Sequence, residues 1–168
     1  GESIFVTATT SVQYAFAQIT VTGASSSSVS VVPVTKDGTV TGTFTMPEED
    51  VTVTVAYRTL SGISLTAPTK TEYDSYMEAG QLDYAGGSVT AVYGSDSYTR
   101  TISMETEAGV ENGCAYACLE DEITNVTQET YTIYTVPVQV SYGGFSDTFS
   151  YTYKAKNEYT ITLNTTPT

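Results

Sequence analysis

Three consecutive carboxylates, Glu120, Asp121 and Glu122, are the residues of this chain whose type points most directly to a chemistry. Carboxylate oxygens are the ligands that Ca²⁺ prefers in proteins. Three further glutamates precede them in the same region: Glu105, Glu107 and Glu111. The spacing does not match the Asp-x-Asn-x-Asn-Gly pattern of a known calcium loop. Two interpretations therefore stand, a calcium site on these acids and a solvated acidic loop, and the spacing favours the loop.

The two cysteines, Cys114 and Cys118, stand four residues apart in the stretch GVENGCAYACLEDEITN, residues 109–125. Alanine, leucine and acidic residues make this stretch poor in β-branched residues, so it predicts a short helix or an irregular loop. On a helix the two Cα atoms would lie about 6 Å apart, within reach of a disulfide, and on a strand about 13 Å apart. A disulfide and two free thiols are both open possibilities.

The chain contains no histidine. This removes the commonest general base, the usual ligand of catalytic zinc, and any Ser-His or Cys-His nucleophile. Two thiols alone are a poor metal site. We therefore expect a chain that is not an enzyme and has no cofactor.

Tyrosine is the residue type best suited to exposed binding, with 14 copies and no tryptophan. Tyr73, Tyr76 and Tyr84 fall close together in the sequence. Flat aromatic rings can stack on sugars or anchor protein contacts, so these three are the candidate ligand-binding residues. For any single tyrosine, a place in a strand or in the core is the competing interpretation.

The elements that must position these residues are predicted to be strands. Apolar and polar residues alternate along several short runs, for example residues 51–57 and 136–140, as they do in half-buried strands. Gly143-Gly144 predicts a tight hairpin between two such runs. The acidic corner Met46-Pro47-Glu48-Glu49-Asp50 predicts a turn between two antiparallel strands, and a site for an acidic ligand set is the weaker interpretation.

Composition limits the possible partners. The 168 residues carry 19 acidic and 6 basic side chains, a formal charge of -13, which repels phosphate backbones and anionic lipid surfaces. We therefore expect no nucleic-acid partner. No run approaches the roughly 20 apolar residues of a membrane-spanning helix, so no membrane insertion is expected within this segment. The length suits two small modules, and we expect an interior piece of a longer protein.

The stretch GTFTMPEEDVTVTVAY, residues 42–57, resembles the closing hairpin of the Listeria-Bacteroides repeats, which are related to the internalin B-repeat. Upstream, FVTATTSVQYAFAQITVTG, residues 5–23, is similar to the middle of the same repeat. The resemblance implies a partial β module over residues 1–58 of a bacterial cell-surface protein.

Residues 60–157 resemble a bacterial immunoglobulin-like domain of the third group. The resemblance is carried by PTKTEY (68–73), by SVTAVYGSDS (88–97) and by the run VPVQVSYGGFSDTFSYTYK (136–154). It implies an all-β chain of two small modules in tandem, the second an immunoglobulin-like antiparallel β-sandwich over 59–157. Residues 158–168 would be the first strand of a following repeat or a tail. Residues 159–163 would then be able to pair with another copy.

These resemblances imply a function. We expect a non-catalytic stalk or adhesion module of a secreted or wall-associated bacterial protein, located outside the cell. The alternative is a carbohydrate-binding accessory module of a secreted polysaccharide-active protein. The partner would be a host protein or a glycan.

Overall fold

The predicted all-β architecture is confirmed. A computed structural model describes residues 1–36, 39–79, 81–105 and 113–158. The strands within these ranges are β1 (Ser3–Thr9), β2 (Tyr14–Gly23), β3 (Ser28–Val29), β4 (Val32–Lys36), β5 (Thr39–Thr45), β6 (Val51–Thr66), β7 (Glu72–Tyr73), β8 (Ser88–Tyr93), β9 (Tyr98–Ser103), β10 (Cys114–Cys118), β11 (Thr124–Thr127), β12 (Tyr131–Tyr142) and β13 (Phe145–Lys156). One short helix, α1 (Tyr76–Ala79), and one 3-10 turn (Glu120–Glu122) accompany them.

The chain divides into two compact units. The first unit comprises Gly1–Ser64, Thr90–Ile102 and Tyr142–Phe145, and the second comprises the other described residues. The module boundary expected at residues 58 and 59 falls inside β6, which runs without a break to Thr66. Gly62, four residues beyond Arg58, lies within β6 and does not interrupt the strand. The predicted third segment, 158–168, with its pairing strand 159–163, lies outside the described residues after Glu158.

In the first unit, two antiparallel sheets pack face to face. One has the strand order β1-β5-β4, and the other has the order β3-β2-β6-β8-β9. Along β5 the buried residues Val40 and Phe44 alternate with half-buried threonines, as expected for a strand with one covered face. Gly42 of β5 allows the sheets to approach closely, because a Cβ there would lie 2.7 Å from Cδ1 of Ile19 in β2.

The acidic corner is a turn, but it does not close a hairpin. It joins β5, which pairs with β1 and β4, to β6, which pairs with β2. The corner therefore carries the chain from one sheet to the other. The hairpin expected from the repeat resemblance is corrected on this point, since β6 finds its antiparallel partner in β2 instead.

The second unit is built on a sheet of order β10-β12-β13-β7, with β11 also paired to β12. The predicted hairpin between β12 and β13 is confirmed: Gly143 and Gly144 have φ of 57° and 86°, the conformation of a primed two-residue turn. In these strands the buried residues alternate, and they are Val136, Val138, Val140, Phe149 and Tyr151. The short β7 pairs with β13 in parallel.

Residues 114–118 form a strand, so the helix or loop expected there is wrong. β10 is the edge strand of the second unit's sheet and pairs with β12. Cys114 and Tyr116 are half-buried, whereas Ala115 and Ala117 are exposed, which is the alternation of a strand. The backbone ladder with β12 outweighs the weak helical preference of alanine and leucine. The acids that follow, Glu120–Glu122, form a single 3-10 turn.

Replacing Phe149 by alanine is expected to destabilise the second unit. Phe149 is buried in β13, and truncation of a buried phenylalanine costs about 3–5 kcal/mol. Ser150 on the same strand is exposed and lies in the same unit, so Ser150→Ala is the control, expected to cost about 0.5 kcal/mol or less. Denaturant unfolding of the two variants measures the difference, and equal losses would contradict the burial of Phe149.

Candidate functional site

Tyr73 is a core residue. Its ring is 4% exposed and packs edge to face on Tyr151, with centroids 5.9 Å apart. Its hydroxyl donates to the carbonyl of Lys70 at 3.3 Å and accepts from the backbone N–H of Asp83 at 3.1 Å. Through these two bonds Tyr73 connects the backbone at Lys70 to the backbone at Asp83. Because the ring is buried, neither of its faces is open to a ligand.

Tyr76 and Tyr84 have different ring partners. Tyr76 is 66% exposed and packs edge to face on Tyr153 at 5.4 Å. Tyr153 stacks in turn on Tyr134 at 5.0 Å, with the ring planes only 10° apart. Tyr84 is half-buried 4.7 Å from Tyr116, and burial raises its pKa. The three tyrosines predicted from sequence therefore present no common aromatic face, and Tyr76 alone among them is well exposed.

A charged groove of about 430 Å³ lies in the second unit beside Tyr73. Lys154 Nζ is 3.0 Å from Asp74 Oδ1, and this hydrogen bond raises the pKa of Lys154. The same ammonium lies 5.8 Å from the ring centroid of Tyr131, and Lys70 Nζ lies 4.7 Å from that of Tyr73. The lysines of this groove are thus already engaged with groups of the chain itself.

The acidic residues proposed as calcium ligands are exposed in the 3-10 turn. Glu120, Asp121 and Glu122 all face solvent. Within the described ranges, no group of three or more histidine, cysteine or carboxylate side chains converges to hold a metal ion. Glu107 and Glu111, which the sequence placed near these acids, lie outside the described residues. Glu120, Asp121 and Glu122 are consecutive on an exposed turn, and a calcium site on them stays a prediction.

No disulfide joins Cys114 and Cys118. They occupy the two ends of the strand β10, where residues four apart are about 13 Å from each other, beyond the reach of a disulfide. Burial raises the pKa of Cys114, which keeps this thiol protonated at neutral pH. Cys118 is exposed and lies beside Tyr151, whose pKa rises to about 12, chiefly through burial.

Arg58 ties together the strands of the first unit around a β-bulge. The register between β2 and β6 shifts between Phe16 and Gln18, and Arg58 Nη1 donates to the carbonyl of Phe16 at 2.7 Å. Its Nε and Nη2 contact Asp96 at 2.8 Å, and these bonds raise the pKa of Arg58 and lower that of Asp96. The guanidinium also lies 5.1 Å from the ring centroid of Tyr98.

Both arginines of the chain line one cavity of the first unit, about 450 Å³ in volume. Arg58 uses its donors on Asp96 and Phe16, as described above. Arg100 interacts with the hydroxyl of Tyr93. The two guanidinium groups therefore serve the fold, and the cavity offers no pair of uncommitted cations to an anionic ligand.

Glu49 is the residue through which the acidic corner is hydrogen-bonded to Ser25 and Ser27. Its carboxylate accepts from the Ser27 hydroxyl at 2.5 Å, the Ser25 backbone N–H at 2.9 Å and the Ser25 hydroxyl at 3.0 Å. Because these bonds favour the ionised form, they lower the pKa of Glu49. Within the corner, Glu49 is thus an anchor for the serine loop, residues 25–28.

An exposed aromatic groove that sequence reasoning missed lies in the first unit. Tyr14 pairs with Thr59 and Phe16 with Tyr57, so Tyr14, Tyr57 and Thr59 share one face of the β2–β6 pair. The two tyrosine rings are 6.3 Å apart, edge to face, and are 49% and 42% exposed. Together with Thr9 they line a groove of about 260 Å³, hereafter the Tyr14–Tyr57 groove.

The Tyr14–Tyr57 groove left only a faint signal in the sequence. Its two rings are far apart along the chain and come together through strand register. Alternation predicts that Tyr57 and Thr59 share a face of β6, but it does not identify Tyr14 as their neighbour on the adjacent strand.

The anchor role of Glu49 makes a pH-dependent prediction. A carboxyl group whose pKa is lower in the folded protein stabilises it above the unfolded pKa, and this contribution is lost as pH falls through the folded pKa. Glu49→Gln is therefore expected to lower the midpoint of thermal unfolding at pH 7. The difference in unfolding midpoint between this variant and the unsubstituted protein should disappear below about pH 4.

Glu48→Gln is the control for this comparison, because Glu48 is the exposed neighbour in the same corner. Both variants remove one negative charge, so an effect of net charge alone would appear in both. The anchor role of Glu49 would be contradicted in two cases. In the first, Glu49→Gln lowers the unfolding midpoint equally at pH 7 and pH 3, and in the second, Glu48→Gln lowers it as much as Glu49→Gln does.

No family model, no curated protein and no solved structure matches this chain. The resemblance to bacterial surface repeats and immunoglobulin-like domains stays a prediction from the sequence. Among the described residues, no helix has both the length and the apolar character needed to cross a membrane.

Proposed function

We propose that this chain is a non-catalytic stalk or adhesion module of a secreted or wall-associated bacterial protein, located outside the cell. The observation that supports this most strongly is the way strands β1 and β13 are fastened to neighbouring strands, as a module that carries mechanical load requires.

At the N-terminal end, β1 is paired along its whole length. Its register with β5 runs through seven residue pairs, from Ser3–Thr45 to Thr9–Thr39. The backbone N–H of Met46 adds a hydrogen bond to the carbonyl of Glu2, just before the strand. Antiparallel partners exchange backbone hydrogen bonds across the ladder, so a pull along β1 loads several of these bonds at once.

At the other end, Asn157 secures the chain just after β13. Its backbone N–H donates to the carbonyl of Thr130 at 3.1 Å, and its side-chain amide donates to the carbonyl of Gln128 at 2.8 Å. Its side-chain oxygen accepts from the hydroxyl of Thr132 at 2.9 Å. These bonds hold the end of β13 to the start of β12.

The surface chemistry also supports an extracellular role. The outward positions of the strands carry many threonines, as in β1 and β6, and the net charge of -13 keeps such modules apart in solution. Threonine suits an exposed pleated surface, and a hydrated surface with net negative charge opposes edge-to-edge association of neighbouring copies.

Location outside the cell can be tested by surface labelling. An antibody raised against this chain is expected to label intact, unpermeabilised cells of the organism that makes it, or its culture medium. Protease treatment of intact cells should remove the cell-bound signal. A cytoplasmic protein is the control and should be labelled only after permeabilisation. Detection of the chain exclusively after permeabilisation would contradict the proposal.

Asn157→Ala tests the bonds that secure β13. The side chain makes hydrogen bonds of 2.9 Å with Thr132 and 2.8 Å with Gln128, and a longer one of 3.5 Å to the carbonyl of Glu129. Each of the two shorter bonds contributes about 0.5–1.5 kcal/mol, so the variant should lose about 1–2 kcal/mol in denaturant unfolding. The force needed to unfold the second unit, measured by pulling the chain from its ends, should fall as well. Asn125 of β11 is exposed, and Asn125→Ala is the control. If Asn157→Ala unfolds at the same denaturant concentration and the same force as this control, the Asn157 side chain does not secure β13.

A further inference from the structure

The Tyr14–Tyr57 groove leaves two large aromatic rings in water although the opposite face of the same two strands contains buried residues. Ala15 and Leu60, which point to the opposite face, are each 5% exposed. Tyr14 and Tyr57 are 49% and 42% exposed and contact each other. Aromatic rings that stay exposed side by side are a feature of binding surfaces.

The lining of the groove identifies the chemistry of its ligand. The four lining residues are Thr9, Tyr14, Tyr57 and Thr59, and each carries a hydroxyl group while none carries a charge at neutral pH. Ring faces offer apolar contact, and hydroxyls both donate and accept hydrogen bonds. A sugar ring has the matching surface, with C–H groups on its faces and hydroxyls around its edge.

Charge argues for a neutral sugar. A carboxylate or sulfate on the ligand would meet no cation in the lining, and the chain as a whole carries a formal charge of -13. A cationic ligand would likewise find no carboxylate there to pair with. The volume of about 260 Å³ lies below the range of pockets for drug-sized ligands, which suits one ring of a longer chain.

The backbone around the groove is fixed before any ligand arrives. The Ser11 N–H donates to the carbonyl of Tyr14 at 3.0 Å, and the Leu60 N–H donates to the carbonyl of Gln13 at 2.9 Å. Arg58 holds the bulge that follows, through its bond to Phe16. A preformed site loses little conformational entropy on binding.

We propose that the Tyr14–Tyr57 groove binds one ring of a neutral polysaccharide. This inference goes beyond the stalk or adhesion role, which does not depend on it. It also moves the carbohydrate-binding alternative from Tyr73, Tyr76 and Tyr84 to a different pair of rings.

Affinity electrophoresis tests the proposal with the full chain. Soluble neutral glucans, mannans and xylans are cast into native gels, and polygalacturonate is the acidic comparison. At least one neutral polysaccharide is expected to retard the chain, and polygalacturonate is not. Because no charge takes part, retardation should be the same in about 50 mM and about 500 mM salt.

Substitutions locate the binding. Tyr14→Ala and Tyr57→Ala should each weaken retardation about tenfold or more, because each removes a ring face, whereas Tyr57→Phe should keep most of it. Tyr76→Ala removes the most exposed of the sequence-predicted tyrosines and is the matched control, expected to bind normally. Thermal unfolding of each variant establishes that it is folded. Because there are two separate alanine variants, the test stays valid when one of them does not fold.

Four results would overturn the proposal. They are no retardation by any neutral polysaccharide, preferential binding of polygalacturonate, unchanged binding in both Tyr14→Ala and Tyr57→Ala, and loss of binding in Tyr76→Ala. None of these results bears on surface labelling of intact cells, so failure of the groove and failure of the stalk proposal are distinguishable.

Discussion

Strand register is the constraint on which the rest of this structure depends. The ladder between β2 and β6 runs from Tyr14–Thr59 to Gly23–Val51, and a slip of one residue would exchange the two faces of a strand. The same register buries Ala15 and Leu60 and leaves Tyr14 and Tyr57 in water. Core and exposed aromatic surface are therefore set by one set of backbone hydrogen bonds, and neither can change without the other.

Three carboxylates of this acidic chain are bound by basic side chains or by serine hydroxyls. Asp96 is held by Arg58, Asp74 by Lys154, and Glu49 by the serine loop. The pKa values of Glu49 and Asp96 are lowered by these bonds, so both groups stabilise the fold at neutral pH and lose that effect on acidification. Exposed pairs of this kind contribute little individually. Their importance is geometric, because each joins segments that are distant in the sequence.

The sequence was sufficient for features that depend on local pattern and insufficient for those that depend on pairing. Alternation predicted the strands, and Gly143-Gly144 predicted the β12–β13 turn, because only positive φ angles close it. The strand at Cys114–Cys118 was missed because its conformation comes from the ladder with β12. The acidic corner was identified as a turn, but which strands it joins depends on the partner of β6. Tyr73 was selected as a ligand residue by its closeness to other tyrosines in the sequence, and it proved to be buried.

The proposed sugar-binding groove and the proposed stalk role suit each other physically. A groove of about 260 Å³ would cover one sugar ring, so a single copy would have few contacts with which to hold a polysaccharide. Several such grooves along one surface protein would bind the same polymer chain together, since each bound ring raises the effective concentration of the next. Avidity of this kind needs modules that keep their shape under tension. The paired length of β1 and the bonds of Asn157 are features that meet this need within each unit.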